Sequence, residues 1–227
     1  MIWTAEDEKQ KNRLASIADK DMLQFMKKTS DELKKLMTYY RCAMMEIETK
    51  FKVLDEEYSL IHDHKPISSI KTRLKEMPSI QEKLKRQGTA ISMSALENEL
   101  HDIAGVRVIC SFPEDVYKIA DAFLKQDDIR LIEKKDYIKN PKPNGYRSLH
   151  LIVEIPIFLS NEKKMMKVEI QLRTIAMDFW ASLEHQMRYK KDVEYTDEMV
   201  VELTECAKQS AELDLRMDAL RRRSQRR

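Results

Sequence analysis

The sequence predicts a mixed α/β fold of the α+β type, a small mixed sheet with packed helices, flanked by long N-terminal and C-terminal helices. Two observations carry this prediction. Apolar residues recur alternately four and three positions apart in two segments, which is typical of long helices with a narrow apolar seam. Between these segments, strict polar–apolar alternation is typical of strands. With 227 residues, 42% hydrophobic and 35% charged, the chain can bury one ordinary core.

The first long helix is predicted from the residues that follow position 32. Its apolar positions are Leu33, Met37, Tyr40, Met44, Ile47, Phe51, Leu54, Tyr58 and Ile61. Pro66 ends the helix, because proline cannot continue it. A second segment has the same spacing at Met199, Leu203, Cys206, Ser210, Leu213, Met217 and Leu220. Such seams pack either on each other within the chain or on another subunit, and the sequence leaves both arrangements open.

The elements between these helices follow in order along the chain. We predict a short helix over 78–87, with Pro78 in its first turn and Gly88 after its end. The other predicted elements are strand 104–112, helix 114–126, strand 129–134, strand 147–155, strand 164–172 and a helix from 174 to about 190. No repeat or linker interrupts them, so we expect one domain over 1–227. Its parts are an N-terminal helical arm (1–63), a catalytic core (64–190) and a C-terminal helix with a basic tail (191–227).

Composition excludes several classes of protein. The three glycines Gly88, Gly105 and Gly145 cannot supply GxGxxG or GxxxxGK[ST], so a Rossmann site and a P-loop are excluded and side chains must hold any phosphates. The formal net charge of +2 argues against a dedicated nucleic-acid binder. Three widely spaced cysteines without CxxC spacing predict reduced thiols. Because neither a signal peptide nor a membrane span is recognisable, we expect a soluble, cytoplasmic protein.

The polar faces of the two long strands form the first candidate site. One strand alternates Lys167, Glu169, Gln171 and Arg173, and the other carries His150 on its polar face. The following helix adds a polar stripe at Asp178, Ser182, His185 and Tyr189. A carboxylate, two imidazoles and an arginine on one surface suit a general base with an anionic substrate. The alternative is the ordinary solvated side of a sheet.

A second candidate site is a basic segment that precedes the first predicted strand. Lys71, Arg73 and Lys75 point the same way if this segment is extended. The short helix adds Lys83, Lys85 and Arg86. Arginine grips phosphate oxygens with two donors or stacks on a base, whereas lysine supplies a point charge. A solvated charge run and a weak nucleic-acid patch are the alternatives.

Two further segments suit a metal and a nucleotide base. Asp102 stands at the start of a predicted strand, where a carboxylate can anchor Mg²⁺ beside phosphates, although a simple cap also explains it. Asn144-Gly145 predicts a tight turn that presents Tyr146 beside a lysine-rich loop. An aromatic ring near lysines suits a purine and its 5′ phosphates, and an ordinary basic connector loop is the alternative.

Five segments, taken together, resemble one known family. They are HKPISSIKTRLK with PSIQEKL, DIAGVRVIC, DYI with PKPNGYRSLHL, VEIQLRT and AMDFWASLEH. In this order they resemble the synthetase domain of RelA/SpoT-type alarmone enzymes, over about 64–190. The flanking helices resemble its small, synthetase-only branch. HKPISSIKTRLK and PKPNGYRSLH resemble the RelP-type members of that branch more than the RelQ-type members.

The resemblance implies a nucleotidyltransferase-like sheet and a GTP diphosphokinase of the stringent response. Such an enzyme transfers the β,γ-pyrophosphate of ATP to the 3′-hydroxyl of GTP or GDP and releases AMP. Glu169 would be the general base, and Asp102 and Glu169 would hold Mg²⁺. The family forms homotetramers through its helical arms, so the resemblance also implies a tetramer.

The same resemblance implies the residues that bind each nucleotide. Arg73 and Arg107 would sandwich the adenine of ATP, and Lys75 and Lys83 would hold its phosphates. Tyr146 would stack on the guanine of GTP. The remaining GTP contacts would be Lys142, His150, Gln171, Arg173 and Asp178. The family often has Asn in place of Asp178, and a carboxylate acceptor there is compatible with the N1 and N2 donors of guanine.

Three other functions remain open from the sequence. The dipeptides His62-Asp63 and His101-Asp102 occur in HD-type phosphohydrolases, but those enzymes need further ligands on an all-helical scaffold. An RNA-binding or helical scaffold protein would use 71–86 and 221–227, against the near-neutral net charge. The third possibility is the same fold acting on a different acceptor, an adenine nucleotide or an RNA end.

Overall fold

The computed structural model describes the backbone of residues 5–61, 64–188 and 196–224, and the side chains of these ranges from residue 30 onward. His62, Asp63, Tyr189 and 225–227 therefore lie outside the described residues, as does the predicted boundary at 190. The chain forms two units, Met1–Tyr39 and Tyr40–Arg227. The single domain with boundaries at 63 and 190 stays a prediction.

The first unit is helical. The helix α1 (Ala5–Ile61) begins in this unit and ends in the second one. Within the first unit, the Lys35 ammonium lies 5.4 Å from the centre of the Tyr39 ring, and Lys34 pairs with Asp31 at 3.6 Å. Such contacts between residues three or four positions apart give a solvated helix modest support.

Within the described residues, the second unit contains a five-stranded mixed sheet with helices packed on it. Its strands are β1 (Ile67–Leu74), β2 (Ala104–Cys110), β3 (Arg130–Asp136), β4 (Leu149–Phe158) and β5 (Lys163–Thr174). Its further helices are α2 (Met77–Arg86), α3 (Met93–Asn98), α4 (Pro113–Leu124), α5 (Ile175–Arg188) and α6 (Asp197–Ser224). The strand order is β1-β2-β5-β4-β3, with β2 and β5 parallel and the other neighbours antiparallel. This architecture confirms the predicted fold class.

The alternation of the two long strands predicts their faces correctly. In β4, Leu149, Leu151 and Val153 have no exposed surface, whereas His150 and Glu154 on the opposite face are half-buried. β5 lies between β2 and β4, and its apolar face is buried in the same way. One face of the sheet is therefore core, and the other is available for polar side chains.

β1 is the strand that the sequence analysis describes only as an extended basic segment. It is an edge strand that pairs with β2, and Ile67 is the one residue of its eight that is buried. Edge strands tolerate polar side chains at most positions, so β1 lacks the apolar alternation that reveals a strand. The short helix α3 is also not predicted; Ser92 caps it by accepting from the backbone N–H of Ala95 at 3.1 Å.

The part of α1 that belongs to the second unit contributes its predicted seam to the core. The buried seam residues are Tyr40, Met44, Ile47, Phe51 and Leu54. Phe51 stacks on Phe123 of α4, with ring centres 4.5 Å apart and planes 13° from parallel. Of the predicted seam residues in this part of α1, only Ile61, in the last turn, is exposed.

The predicted apolar seam of α6 is not the face that packs within the chain, and its packing on another subunit stays a prediction. Its exposed members are Cys206, Leu213, Met217 and Leu220. The buried residues of α6 are instead Ala207, Asp214 and Asp218. Asp214 accepts a hydrogen bond from the Thr174 hydroxyl at 2.6 Å, and Asp218 pairs with Arg221 at 2.9 Å. Buried polar residues with partners in the chain therefore decide which face of α6 packs inward.

We expect Phe51→Ala to lower the free energy of unfolding by about 3–5 kcal/mol, because it removes a large aromatic side chain from the core. Val53→Ala is the control: Val53 lies on the same helix but is 60% exposed, so its truncation should change stability by less than about 0.5 kcal/mol. Urea unfolding followed by circular dichroism measures both. A loss below about 1 kcal/mol for Phe51→Ala would contradict the packing of α1 on α4.

Candidate active site

A cavity of about 600 Å³ opens on the polar face of the sheet. Its walls come from β1, β2, β5, the loop before β4, and α5. Nine of the twelve predicted site residues line it: Arg73, Lys75, Asp102, Arg107, Lys142, Tyr146, Glu169, Gln171 and Arg173. The other three, Lys83, His150 and Asp178, contact members of this set. The structure therefore brings all twelve together.

Strand register explains why residues so distant in sequence converge. Gly105 and Arg107 of β2 lie opposite Glu169 and Gln171 of β5, and His150 of β4 lies opposite Gln171 on the other side. Side chains at paired positions share a face of the sheet. The polar faces of three neighbouring strands thus form one continuous floor.

Glu169 lies at the centre of this floor, with both carboxylate oxygens engaged. Oε1 lies 3.2 Å from Nδ1 of His150, and Oε2 accepts from Nε2 of Gln171 at 2.9 Å. Burial alone would raise the pKa of Glu169, but the hydrogen bonds from His150 and Gln171 outweigh it and lower the pKa below its ordinary value. The carboxylate is therefore ionised at neutral pH and can accept a proton.

Asp102 lies at one end of the cavity, and two lysine side chains surround it with positive charge. Its Oδ2 is 2.6 Å from the Lys75 ammonium and 2.8 Å from that of Lys83. Burial would raise the pKa of Asp102, yet the two lysine hydrogen bonds lower it overall. Within the described part of the chain, the other oxygen, Oδ1, is buried and has no hydrogen-bond partner. A buried carboxylate oxygen without a donor is suited to a cation.

The residues around Asp102 suit a Mg²⁺ ion that is shared with substrate phosphates, rather than a metal that protein ligands hold alone. Among residues 30–61, 64–188 and 196–224, no group of three or more His, Cys, Asp or Glu side chains could hold a metal. Mg²⁺ is usually bound by one or two carboxylates together with substrate phosphates. Asp102 supplies a free oxygen, and Glu169 is near enough for the two charges to influence each other.

Asp178, in the first turn of α5, is the counter-ion of three cations. Its Oδ1 accepts from Arg107 at 3.1 Å and from Arg173 at 3.2 Å, and its Oδ2 accepts from Lys71 at 3.0 Å. The residue is only 6% exposed. Burial would raise its pKa, but Lys71 and the two arginines lower it. Asp178 therefore keeps two guanidinium groups close together, and its contact with a purine base stays a prediction.

Tyr146 forms an aromatic wall of the cavity, and Tyr137, which does not line the cavity, packs edge-on against it with ring centres 6.1 Å apart. The Lys142 ammonium lies 4.7 Å from the centre of the Tyr137 ring and 5.1 Å from that of Tyr146. Arg173 lies over the Tyr146 ring at 5.0 Å. Aromatic faces with adjacent cations suit a flat, anionic ligand.

A tight turn places Tyr146, as the sequence predicts. Gly145 donates its N–H to the Lys142 carbonyl at 2.8 Å and has φ +87°, which glycine adopts readily. Glycine is also required for space, because a Cβ at this position would lie 2.4 Å from Cβ of Ala207 in α6. The loop and α6 thus touch directly.

Some residues depart from the sequence-based expectations. Ser182 and His185 line the cavity as predicted, whereas Lys85 and Arg86 are exposed on α2. Glu184 also lines the cavity and accepts from Asn144 at 3.3 Å, a role that the sequence analysis missed. Its spacing of seven from the buried Met177 on α5 would have placed it on the inner face.

The described helices include none that is both long enough and apolar enough to span a bilayer.

Comparison with known proteins identifies one family: residues 72–194 match the family described as "Region found in RelA / SpoT proteins". The chain is 45% identical over 192 residues to GTP pyrophosphokinase YwaC of Bacillus subtilis (strain 168), covering 85% of this chain and 91% of that protein.

The chain is also similar to solved structures of small alarmone synthetases. Small alarmone synthetase 2 from Bacillus subtilis superposes with a TM-score of 0.76 at 43% identity, covering 84% of this chain and 98% of that chain. Small alarmone synthetase 1 from Bacillus subtilis, bound to its product pppGpp, superposes with a TM-score of 0.76 at 33% identity, covering 84% and 96%.

We expect Asp178→Asn to lower the free energy of unfolding of the ligand-free protein by about 3 kcal/mol, the lower end of the usual cost of breaking a buried ion pair. The lower end applies because Arg107 is partly exposed. Glu154→Gln is the control: its partner Arg130 has a side chain that is 65% exposed, so the loss should stay below about 1 kcal/mol. Denaturant titration measures both, and equal small losses would contradict the structural role of Asp178.

Proposed function

The chain belongs to the RelA/SpoT family, and on this premise we propose how its residues act on their substrates. It is a GTP pyrophosphokinase, a (p)ppGpp synthetase. It transfers the β,γ-pyrophosphate of ATP to the 3′-hydroxyl of GTP or GDP, with AMP and pppGpp or ppGpp as products. The observation that best supports the residue roles is the ionised Glu169 on the cavity floor. It lies between the end of the cavity that holds Asp102 with its two lysine partners and the end that holds Tyr146.

Glu169 is the general base in this proposal. A ribose hydroxyl is a weak nucleophile, so its proton passes to the Glu169 carboxylate as the 3′-oxygen bonds to the β-phosphorus of ATP. The bond between that phosphorus and the α,β-bridging oxygen breaks, and AMP leaves with the electron pair. A positioned base typically contributes about 10²- to 10⁴-fold to such a step.

The ATP subsite is assigned to the edge of the sheet. Lys71 of β1 lies opposite Arg107 of β2, so Arg73, two residues further along β1, is a diagonal neighbour of Arg107 on the same face. Diagonal neighbours lie about 7–8 Å apart, which leaves room for one flat adenine between two guanidinium planes. Lys75 and Lys83, which share Oδ2 of Asp102 in the free protein, bind the ATP phosphates.

The GTP subsite is assigned to the aromatic end. Tyr146 stacks on guanine, and Lys142, which already lies over that ring, faces the phosphates. His150, Gln171 and Arg173 surround the ribose and phosphates. Asp178 lies near the base edge, where its ion pairs hold Arg107 and Arg173 beside the two nucleotides.

Asp102, through its free Oδ1, and Glu169 would hold Mg²⁺ together with phosphate oxygens of the substrates. When bound, the ion neutralises charge that develops on the phosphates. Lys75 and Lys83 keep Asp102 ionised and therefore ready to bind it.

The direct test incubates the purified protein with Mg²⁺, γ-labelled ATP and one acceptor at a time, followed by chromatography. With GTP or GDP, the label should appear in guanosine penta- or tetraphosphate, with one AMP per product. EDTA should abolish the transfer. Transfer only to an adenine nucleotide or an RNA end would overturn the guanine assignment, and an absence of AMP with every acceptor would contradict the function.

We expect Glu169→Gln to lower kcat by about 10²- to 10⁴-fold, because the amide cannot accept the proton, while ATP binding measured by calorimetry is retained. Glu133→Gln is the matched control, since Glu133 is exposed on β3 and pairs with Lys135. Its kcat should equal that of the wild type. Near-normal turnover of Glu169→Gln would remove Glu169 from the mechanism.

We also propose that the protein acts in the cytoplasm as a homotetramer. Apolar side chains on α5 support self-association: Ile175, Phe179 and Leu183 are 55%, 64% and 40% exposed and lie four positions apart on one face. α6 also exposes apolar side chains. Burying such a surface against a second copy is favourable, and exposed apolar patches commonly mark interfaces.

We expect Phe179→Asp to reduce the mass of the assembly measured by light scattering, because a carboxylate would be buried in the interface. Phe158→Asp is the control, because Phe158 is similarly exposed at 71% but lies at the end of β4. A monomeric wild type, or an unchanged mass for Phe179→Asp, would contradict the assignment of this surface.

A further inference from the structure

Five side chains on the cavity floor form a closed ring of hydrogen bonds. Starting from Glu169, Oε1 contacts Nδ1 of His150 at 3.2 Å, and Nε2 of His150 contacts the Tyr146 hydroxyl at 2.8 Å. That hydroxyl accepts from Arg173 at 2.5 Å. The same Arg173 nitrogen donates to Oε1 of Gln171 at 3.0 Å. The Gln171 amide then donates to Oε2 of Glu169 at 2.9 Å, which closes the ring.

The chemistry of these groups fixes the direction of the bonds at both ends of the ring. Arginine has no acceptor and an ionised carboxylate has no donor, so Arg173 donates at one end and Glu169 accepts at the other. Because the Tyr146 oxygen already accepts from Arg173, its own proton is available for Nε2 of His150. An imidazole that accepts at Nε2 carries its proton on Nδ1 and donates it to Glu169. The opposite tautomer would turn a nitrogen lone pair toward the carboxylate and leave the tyrosine proton unused.

We propose that the Tyr146 hydroxyl is a positioning group for catalysis, separate from the stacking role of its ring. It sets the tautomer of His150, and His150 in turn holds the Glu169 carboxylate aimed at the acceptor hydroxyl. This inference rests on the proposed function, since it concerns the same general base. It assigns the two parts of one side chain to different tasks: the ring to the substrate and the oxygen to the catalytic base.

Loss of the hydroxyl has a defined geometric consequence. Nε2 of His150 loses the Tyr146 oxygen as its partner, so the imidazole is held on one side instead of two. Nδ1 of the same imidazole contacts Oε1 of Glu169. The position of the carboxylate therefore becomes less well defined.

Tyr146→Phe removes this single oxygen and keeps the ring. We expect kcat to fall about 10- to 100-fold, the usual cost of losing the partner that orients a functional histidine. The KM for GTP should stay within about two-fold, because the ring that stacks on guanine is kept. Tyr137→Phe is the matched control: its ring lies edge-on to His150, 5.2 Å away, but its hydroxyl is not a member of the ring.

Two measurements make the result decisive. In a His150→Ala background, Tyr146→Phe should cause little further loss of kcat, because groups that act as one unit are not additive. An unchanged kcat, a rise in KM alone, or full additivity would each overturn the proposal. Circular dichroism and thermal unfolding of Tyr146→Phe should match the wild type, which separates positioning from misfolding.

Nitrogen-15 NMR of the imidazole tests the ring without any turnover. The wild-type protein should show His150 with its proton on Nδ1, and Tyr146→Phe should show the other tautomer in a substantial fraction. A proton on Nε2, or a doubly protonated imidazole at neutral pH, would overturn the proposal even in an active enzyme. Failure of the synthetase assay with the expected tautomer would instead contradict the proposed function alone.

Discussion

A carboxylate loses several kcal/mol of hydration when it is buried, and it stays charged only where cations or N–H donors replace the lost water. The cavity depends on this balance at three points, Asp102, Glu169 and Asp178, each of which has a lowered pKa despite burial. Apart from Gln171, which shares β5 with Glu169, their partners come from other segments of the chain, so the balance exists only in the folded chain. In the proposed function, the lysines and arginines that neutralise these carboxylates also bind phosphates. Substrate binding then exchanges one anion for another at a cation that is already in place.

The parallel pairing of β2 with β5 makes this arrangement possible. It sets the strand after Asp102 beside the strand that carries Glu169, while β4 brings His150 to the other side. The apolar faces of β4 and β5 fix the register, because a shift by one residue would turn the buried leucines to solvent and the catalytic face to the core. The chemistry of the site and the stability of the sheet therefore depend on the same alternation.

The sequence allowed different parts of the molecule to be predicted for different physical reasons. Alternation in β4 and β5 and the seam through Phe51 are local signals, so these elements and their faces were correct. β1 was missed as a strand because an edge position removes the apolar pattern. The inner face of α6 was not predicted because it is polar, with Asp214 buried through its hydrogen bond with Thr174. The pairing of Arg107 with Asp178 joins residues 71 positions apart, and no local pattern encodes it. The resemblance grouped the residues of the site, whereas only the fold revealed how they bind one another.

The contact between Gly145 and Ala207 links the aromatic wall to a helix that is made much later. A Cβ at 145 would collide with Ala207, so α6 forms the surface on which the turn before Tyr146 rests. During synthesis, the sheet and the end of the cavity that holds Asp102 can fold before Ala207 has left the ribosome. The turn before Tyr146 cannot yet pack on α6. In the proposed function, a nascent chain would therefore complete its ATP subsite before its GTP subsite, and full activity would wait until α6 has docked.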